Sequence, residues 1–258
     1  MKYQSEVSGG NANGGARSSR RKFIVTECIV ASLIGLLVIL MVVPAFQKVD
    51  EVGPWNASGW HLFEIGNAMH AYVDDHKTLP PAVVYDMHGR PLYSWRVLLL
   101  PYLKEQALYS QFKLDEPWDS PNNKPLLARI PNVYVTPSQY EHKQQYATHY
   151  QVFTGGGALF EASLAARLLS FKEINAADGM SRTLMVVEAA EPVFWSKPED
   201  LPYSPDQPLP KLGSLFIKKG FHVMMADGST RWFTADIDEK TLRAMITWNG
   251  GEQFTFPD

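Results

Sequence analysis

A chain of 258 residues with 45% hydrophobic and 12% aromatic side chains has ample material for a packed core, which excludes a disordered tail. Its net charge is −3 and its one basic cluster is confined to the first 22 residues, so it carries no electrostatic footprint for nucleic acid. The single cysteine, Cys28, excludes an internal disulfide or a thiolate metal cluster, and stability must come from packing.

Residues 3–19 are rich in Gly, Ser and Asn and read as a flexible tail. Over residues 1–22, Lys2, Arg17, Arg20, Arg21 and Lys22 stand against Glu6 alone, a net +4 that leaves −7 for the rest of the chain. From Phe23 to Phe46 the sequence turns apolar, and between Ile29 and Val43 only Ser32 is neither apolar nor Gly. A helix over these 24 residues is about 36 Å long at 1.5 Å per residue, enough to cross a bilayer. The positive-inside rule keeps the basic N-terminus in the cytoplasm and exports the acidic remainder. Glu27 is an ionisable group within this segment, at a cost of about 2.5–3.5 kcal/mol at mid-membrane. It either snorkels to the headgroups or has a pairing role. The run Ser19-Arg20-Arg21-Lys22-Phe23-Ile24 also fits a twin-arginine export signal, although the apolar run is long and no A-x-A site follows it. An uncleaved signal anchor is the other alternative.

Phe23, with Glu27 at the fifth position, a basic leader behind it and a long apolar run ahead, resembles the type IV prepilin and pseudopilin N-terminus. The resemblance implies cutting by a prepilin peptidase between Lys22 and Phe23 and pairing of Glu27 with the N-terminal amine of a neighbouring homo- or hetero-pilin subunit. It also implies a helix kink at Pro44. The position before the cut is Gly in that family and Lys22 here. The division that follows is a basic cytoplasmic leader (1–22), a transmembrane helix (23–46) and an exported globular domain (47–258). The protein is expected in the bacterial inner membrane, single-pass, with the bilayer as partner and its C-terminal domain in the periplasm.

Gly53-Pro54 should interrupt the helix, and a second helical segment is predicted from about Ser58. There Leu62, Ile65, Met69, Tyr72 and Val73 form one apolar stripe to lay against a sheet. His61, His70 and His76 are spaced nine and six apart, off the i,i+4 face a metal would need. Leu79-Pro80-Pro81 ends the helix, and Met87-His88-Gly89-Arg90 is a turn between short extended pieces. Ser94 caps a helix carrying Trp95, Leu98 and Leu99, and Pro101 opens another with Leu108, Tyr109 and Phe112 inward. Asp119-Ser120-Pro121 is a third start signal. Asp115, Glu116 and Asp119 lack the ordered spacing of a calcium loop.

The second half reads as strands at Val133–Val135, Tyr150–Phe153, Thr183–Glu188 and Phe221–Ala226, with Asp227-Gly228 as a hairpin turn into Thr230–Phe233. Gly155-Gly156-Gly157 is a loop or bulge, since no Lys-Ser or Lys-Thr pair follows to hold a phosphate. A helix is predicted over Leu159–Phe171, a long irregular loop over Pro192–Pro210, and a closing helix over Asp238–Trp248 with Leu242, Met245 and Ile246 inward.

Ser94-Trp95-Arg96, Pro101-Tyr102-Leu103, Asp115-Glu116-Pro117-Trp118-Asp119, Asp178-Gly179 and Asp227-Gly228-Ser229 extend the resemblance from Phe23 to about Glu252. The chain is similar to bacterial prepilin-like proteins with a C-terminal domain of unknown function, a family sometimes labelled solute-binding. Many members carry a pair of cysteines at the positions of Ser58 and Thr136, which implies that these two residues sit close together. The expected fold class is α+β: a long N-terminal transmembrane helix and a periplasmic head of helices packed on an antiparallel sheet.

Gly-x-Ser-x-Gly, His-Glu-x-x-His and paired-cysteine motifs are missing, so no catalytic activity, cofactor or metal is expected. The first expectation is a membrane-anchored, pilin-like structural or assembly protein. The alternative is a tethered solute- or glycan-binding module with Trp118, Trp195 and Trp232 as stacking surfaces, although such residues are more often packed in a core.

Overall fold

The apolar stripe predicted from Ser58 lies on a helix over residues 57–76, α1, with Leu62, Ile65, Met69, Tyr72 and Val73 all buried. The computed structural model describes residues 57–136, 145–213 and 220–256, with Leu36 alone ahead of them. The expected membrane segment, with Lys22, Phe23, Glu27 and Pro44, lies outside the described residues apart from Leu36, which is helical and exposed. Among the described residues no helix is long and apolar enough to cross a membrane.

The Met87–Arg90 turn joins β1 (Val83–Tyr85) to β2 (Pro91–Ser94), an antiparallel pair. Gly89 takes φ +79°, and Asp86 accepts from the backbone N–H groups of His88 and Arg90. Ser94 caps the short helix α2 (Trp95–Leu98) by accepting from the Arg96 N–H. The helix expected from Pro101 is interrupted. A 3-10 turn over Leu100–Leu103 stops at Lys104, whose φ of 63° is left-handed, and α3 (Gln106–Tyr109) starts afresh. Asp119-Ser120-Pro121 opens no helix either. The Ser120 hydroxyl accepts from the Asn123 N–H to close a turn, and a 3-10 helix follows over Lys124–Arg129.

Four strands form the main sheet, antiparallel throughout, in the order β3 (Ala147–Gln151), β5 (Leu184–Phe194), β7 (Gly220–Met225) and β8 (Thr230–Thr234). Every residue of β7 is buried because both faces of the sheet are covered. On one face Met224, Met185 and Val186 pack with Leu62, Ile65 and Met69 of α1. On the other, Phe221, Val223 and Met225 meet Leu242, Met245 and Ile246 of α5 (Glu239–Ile246). A register shift between Leu184 and Val186 lets Met185 and Val186 join the same core although they are consecutive in sequence. The Asp227-Gly228 hairpin forms as predicted, with Gly228 at φ +82° and the Asp227 carboxylate accepting from the Ser229 N–H and hydroxyl.

Three predicted elements take other forms. Val133–Val135 is no strand: Asn132–Tyr134 is a 3-10 turn, because the Tyr134 ring is wholly buried and its hydroxyl donates to the Arg96 carbonyl at 2.9 Å. Leu159–Phe171 is no helix, since Leu159, Phe160 and Leu169 are buried while Leu164 and Leu168 face outward, leaving no common face to bury. The helix there, α4 (Phe171–Ala176), begins where that stretch was expected to end and is started by a capping box between Ser170 and Glu173. The proline-rich run is partly ordered into strands: Pro192–Phe194 end β5, and β6 (Leu201–Pro202) pairs in parallel with β4 (Phe153–Thr154). Asp200 draws it inward, accepting from the Arg96 guanidinium at 2.6 Å, the Val152 N–H at 2.9 Å and the Trp95 indole at 3.3 Å.

Candidate functional site

The helix α1 has two sides of different chemistry. Facing the sheet, Ser58 in its first described turn donates to Glu188 of β5 and accepts from the Tyr150 hydroxyl of β3 at 2.9 Å. The second Glu188 oxygen accepts from the His222 backbone N–H at 2.7 Å and from its Nδ1 at 3.2 Å. One carboxylate thus ties α1 to the central strands, and Ser58, Glu188 and His222 are all buried. His61 meets the Tyr150 ring edge-on at 6.3 Å, and the His149 Nδ1 bonds the Ala189 carbonyl at 2.8 Å. Burial pulls both imidazoles below the usual histidine range, against upward pulls that include the Glu188 charge.

This arrangement ties α1 to the sheet. Here a carboxylate stands between Ser58 and His222 and takes the proton bond of the hydroxyl. Among the described residues no group of His, Cys, Asp and Glu side chains is placed to hold a metal ion. The His70 Nε2 bonds the Ala226 carbonyl at 3.0 Å, and His76 stacks on Tyr72 with its Nδ1 on the Tyr72 carbonyl. Glu116 holds the Asn122 amide.

The outward side of α1 presents Trp60, Phe63, Glu64 and Asn67, then Asp74 and Asp75 further along. Trp60 is 60% and Phe63 43% exposed, with ring centroids 5.6 Å apart. A cleft of about 350 Å³ between Glu64, Tyr102, Lys104 and Asn132 flanks the stripe.

The three tryptophans expected as stacking surfaces part company. Trp195 is wholly buried, stacked on Tyr134, edge-on to Phe112 and donating to the Leu127 carbonyl at 3.2 Å, so its ring presents no surface to a ligand. Trp232 lies half-buried over Gly220 of β7, where any side chain would run into its ring. Trp118 is half-buried with its ring 5.7 Å from Phe194, itself 43% exposed. Phe194 in turn lines an open cleft of about 670 Å³ with Tyr146, Pro192, Glu191, Lys197 and Glu199. Ser58 and Thr136, expected to lie close together, are both buried. The Glu188 centre was not foreseen, although an acid inside the β-branched run from Thr183 is the kind of misfit that marks a buried polar contact.

A family model described as a protein of unknown function, DUF1559, and labelled SBP_bac_10, matches residues 60–212. No curated protein and no solved structure matches the chain.

Proposed function

The chain belongs to the DUF1559 family of proteins of unknown function, and on that premise we propose that it is a membrane-anchored, pilin-like assembly protein whose head stands outside the cytoplasm. The observation that carries this is the seating of α1: one helix laid across an all-antiparallel sheet and tied to it at Ser58, only twelve residues beyond Phe46. The apolar run Phe23–Phe46 serves as the anchor, Lys22–Phe23 as the processing point, and Glu27 pairs with a neighbouring subunit within the bilayer. N-terminal sequencing of protein extracted from membranes tests this. A chain beginning at Phe23 supports assembly, and an intact Met1 reduces the role to a static anchor. A freely soluble protein that keeps its first fifty residues overturns the proposal.

One observation favours a second role, a tethered solute- or glycan-binding module: the Trp118–Phe194 ring pair beside the larger cleft. Titrating a panel of neutral oligosaccharides against indole fluorescence tests it. Saturable quenching that Trp118→Ala abolishes supports binding, and a flat response across the panel removes the role.

A further inference from the structure

We propose that Trp60 and Phe63 lie in the headgroup layer of the outer leaflet, so that the head rests on the membrane surface through the first turns of α1. This rests on the anchored reading above and adds to it a surface and its partner, the zwitterionic lipid interface.

Three observations converge on it. The ring pair leaves 60% of Trp60 and 43% of Phe63 exposed side by side, apolar surface that gains nothing from water. Only thirteen residues separate Phe46 from Trp60, so this turn is the described part of the head nearest in sequence to the apolar run. The outward stripe also changes character along its length, with Trp60 and Phe63 at the end nearest that run and Asp74 and Asp75 at the other. Asp74 stands about 21 Å beyond Trp60 at 1.5 Å per residue. A neighbouring subunit packed along the whole stripe would have to desolvate Asp74 and Asp75 as well. A helix rising out of an interface needs aromatic rings at its lower end and charge at its upper end, because indole and phenyl rings favour the headgroup layer while carboxylates favour water. Glu64 beside the pair, with Asp50 and Glu51 upstream in the sequence, argues against an anionic lipid surface as the attractant.

The test uses the full chain in phosphatidylcholine vesicles, with Cys28→Ser as background and an environment-sensitive fluorophore on a cysteine introduced singly as Trp60→Cys, Phe63→Cys or Asp74→Cys. Labelling either ring position leaves the other ring in place. With nitroxide lipids labelled near the headgroup, emission from positions 60 and 63 is expected to fall by about half, and that from position 74 to stay unchanged. Adding anionic lipid should not increase the effect. Vesicles that float with the protein while positions 60 and 63 remain unquenched overturn this inference and leave the anchored reading standing. Unquenched but blue-shifted emission that grows with the protein-to-lipid ratio also overturns it, in favour of a second copy on this face. Protein that fails to float with the vesicles overturns both.

Discussion

Asp200 shows how far a single side chain organises its surroundings. One of its oxygens gathers three donors, from Arg96, Val152 and Trp95, while the other is buried without a partner among the described residues. Burial pushes this carboxyl above the usual range, outweighing the pull of the Arg96 charge 2.6 Å away, as expected when desolvation is only partly offset. Removing the acid would leave the Arg96 guanidinium buried and unpaired. Asp200→Ala is therefore expected to cost about 3–5 kcal/mol, measured as a lowered urea midpoint of the head. The partnership was not legible in the sequence, where Arg96 and Asp200 stand 104 residues apart and nothing local marks either as buried. The tryptophans teach the same limit. Their chemistry is visible in the sequence, but whether a ring lies inside, as Trp195 does, or part-way out, as Trp118 does, depends on what the fold brings against it.

At the scale of elements, whatever announces itself locally was legible. The stripe of α1, the Asp227-Gly228 hairpin and the inward face of α5 each follow from periodicity or turn chemistry alone. Val133–Val135 misled because a β-branched and aromatic triplet reports burial as readily as extension. The start of α4 was missed because its signal, the Ser170–Glu173 capping box, straddles the end of the stretch Leu159–Phe171 taken for a helix. Ser170→Ala is expected to cost about 1 kcal/mol, read from the same urea transition. The implied proximity of Ser58 and Thr136 is open to a direct check. The backbone of Val135, next to Thr136, is among the groups that pull the imidazole of His61 upward, one turn past Ser58. Ser58→Cys with Thr136→Cys should therefore oxidise to a bridge, leaving Cys28 as the single free thiol in a titration under denaturing conditions. Three titratable thiols after oxidation would show that the two positions stand too far apart.

The whole molecule inherits a pH dependence from its buried imidazoles. His61 and His149 both titrate below the ordinary 6.5 in the folded head, so the unfolded chain binds more protons as pH falls below that value. Stability should be full above about pH 6.5 and decline as the pH drops through the lowered values, measured as a falling melting temperature between pH 7 and pH 5. His61→Gln with His149→Gln should flatten that decline. The α+β character of the head, with helices on an antiparallel sheet, was legible because the stripe of α1 and the β-branched runs of the second half each carry a period of their own. The covering of both sheet faces was less so, since it depends on α1 and α5 arriving from opposite ends of the head. Their separation bears on the order of folding. Ser58 finds Tyr150 only 92 residues later and Glu188 only 130 residues later. As the chain emerges, α1 can pack early on the segment around Tyr102, but its tie to the sheet waits for β5, so that docking comes late, at a rate governed by closing those long loops.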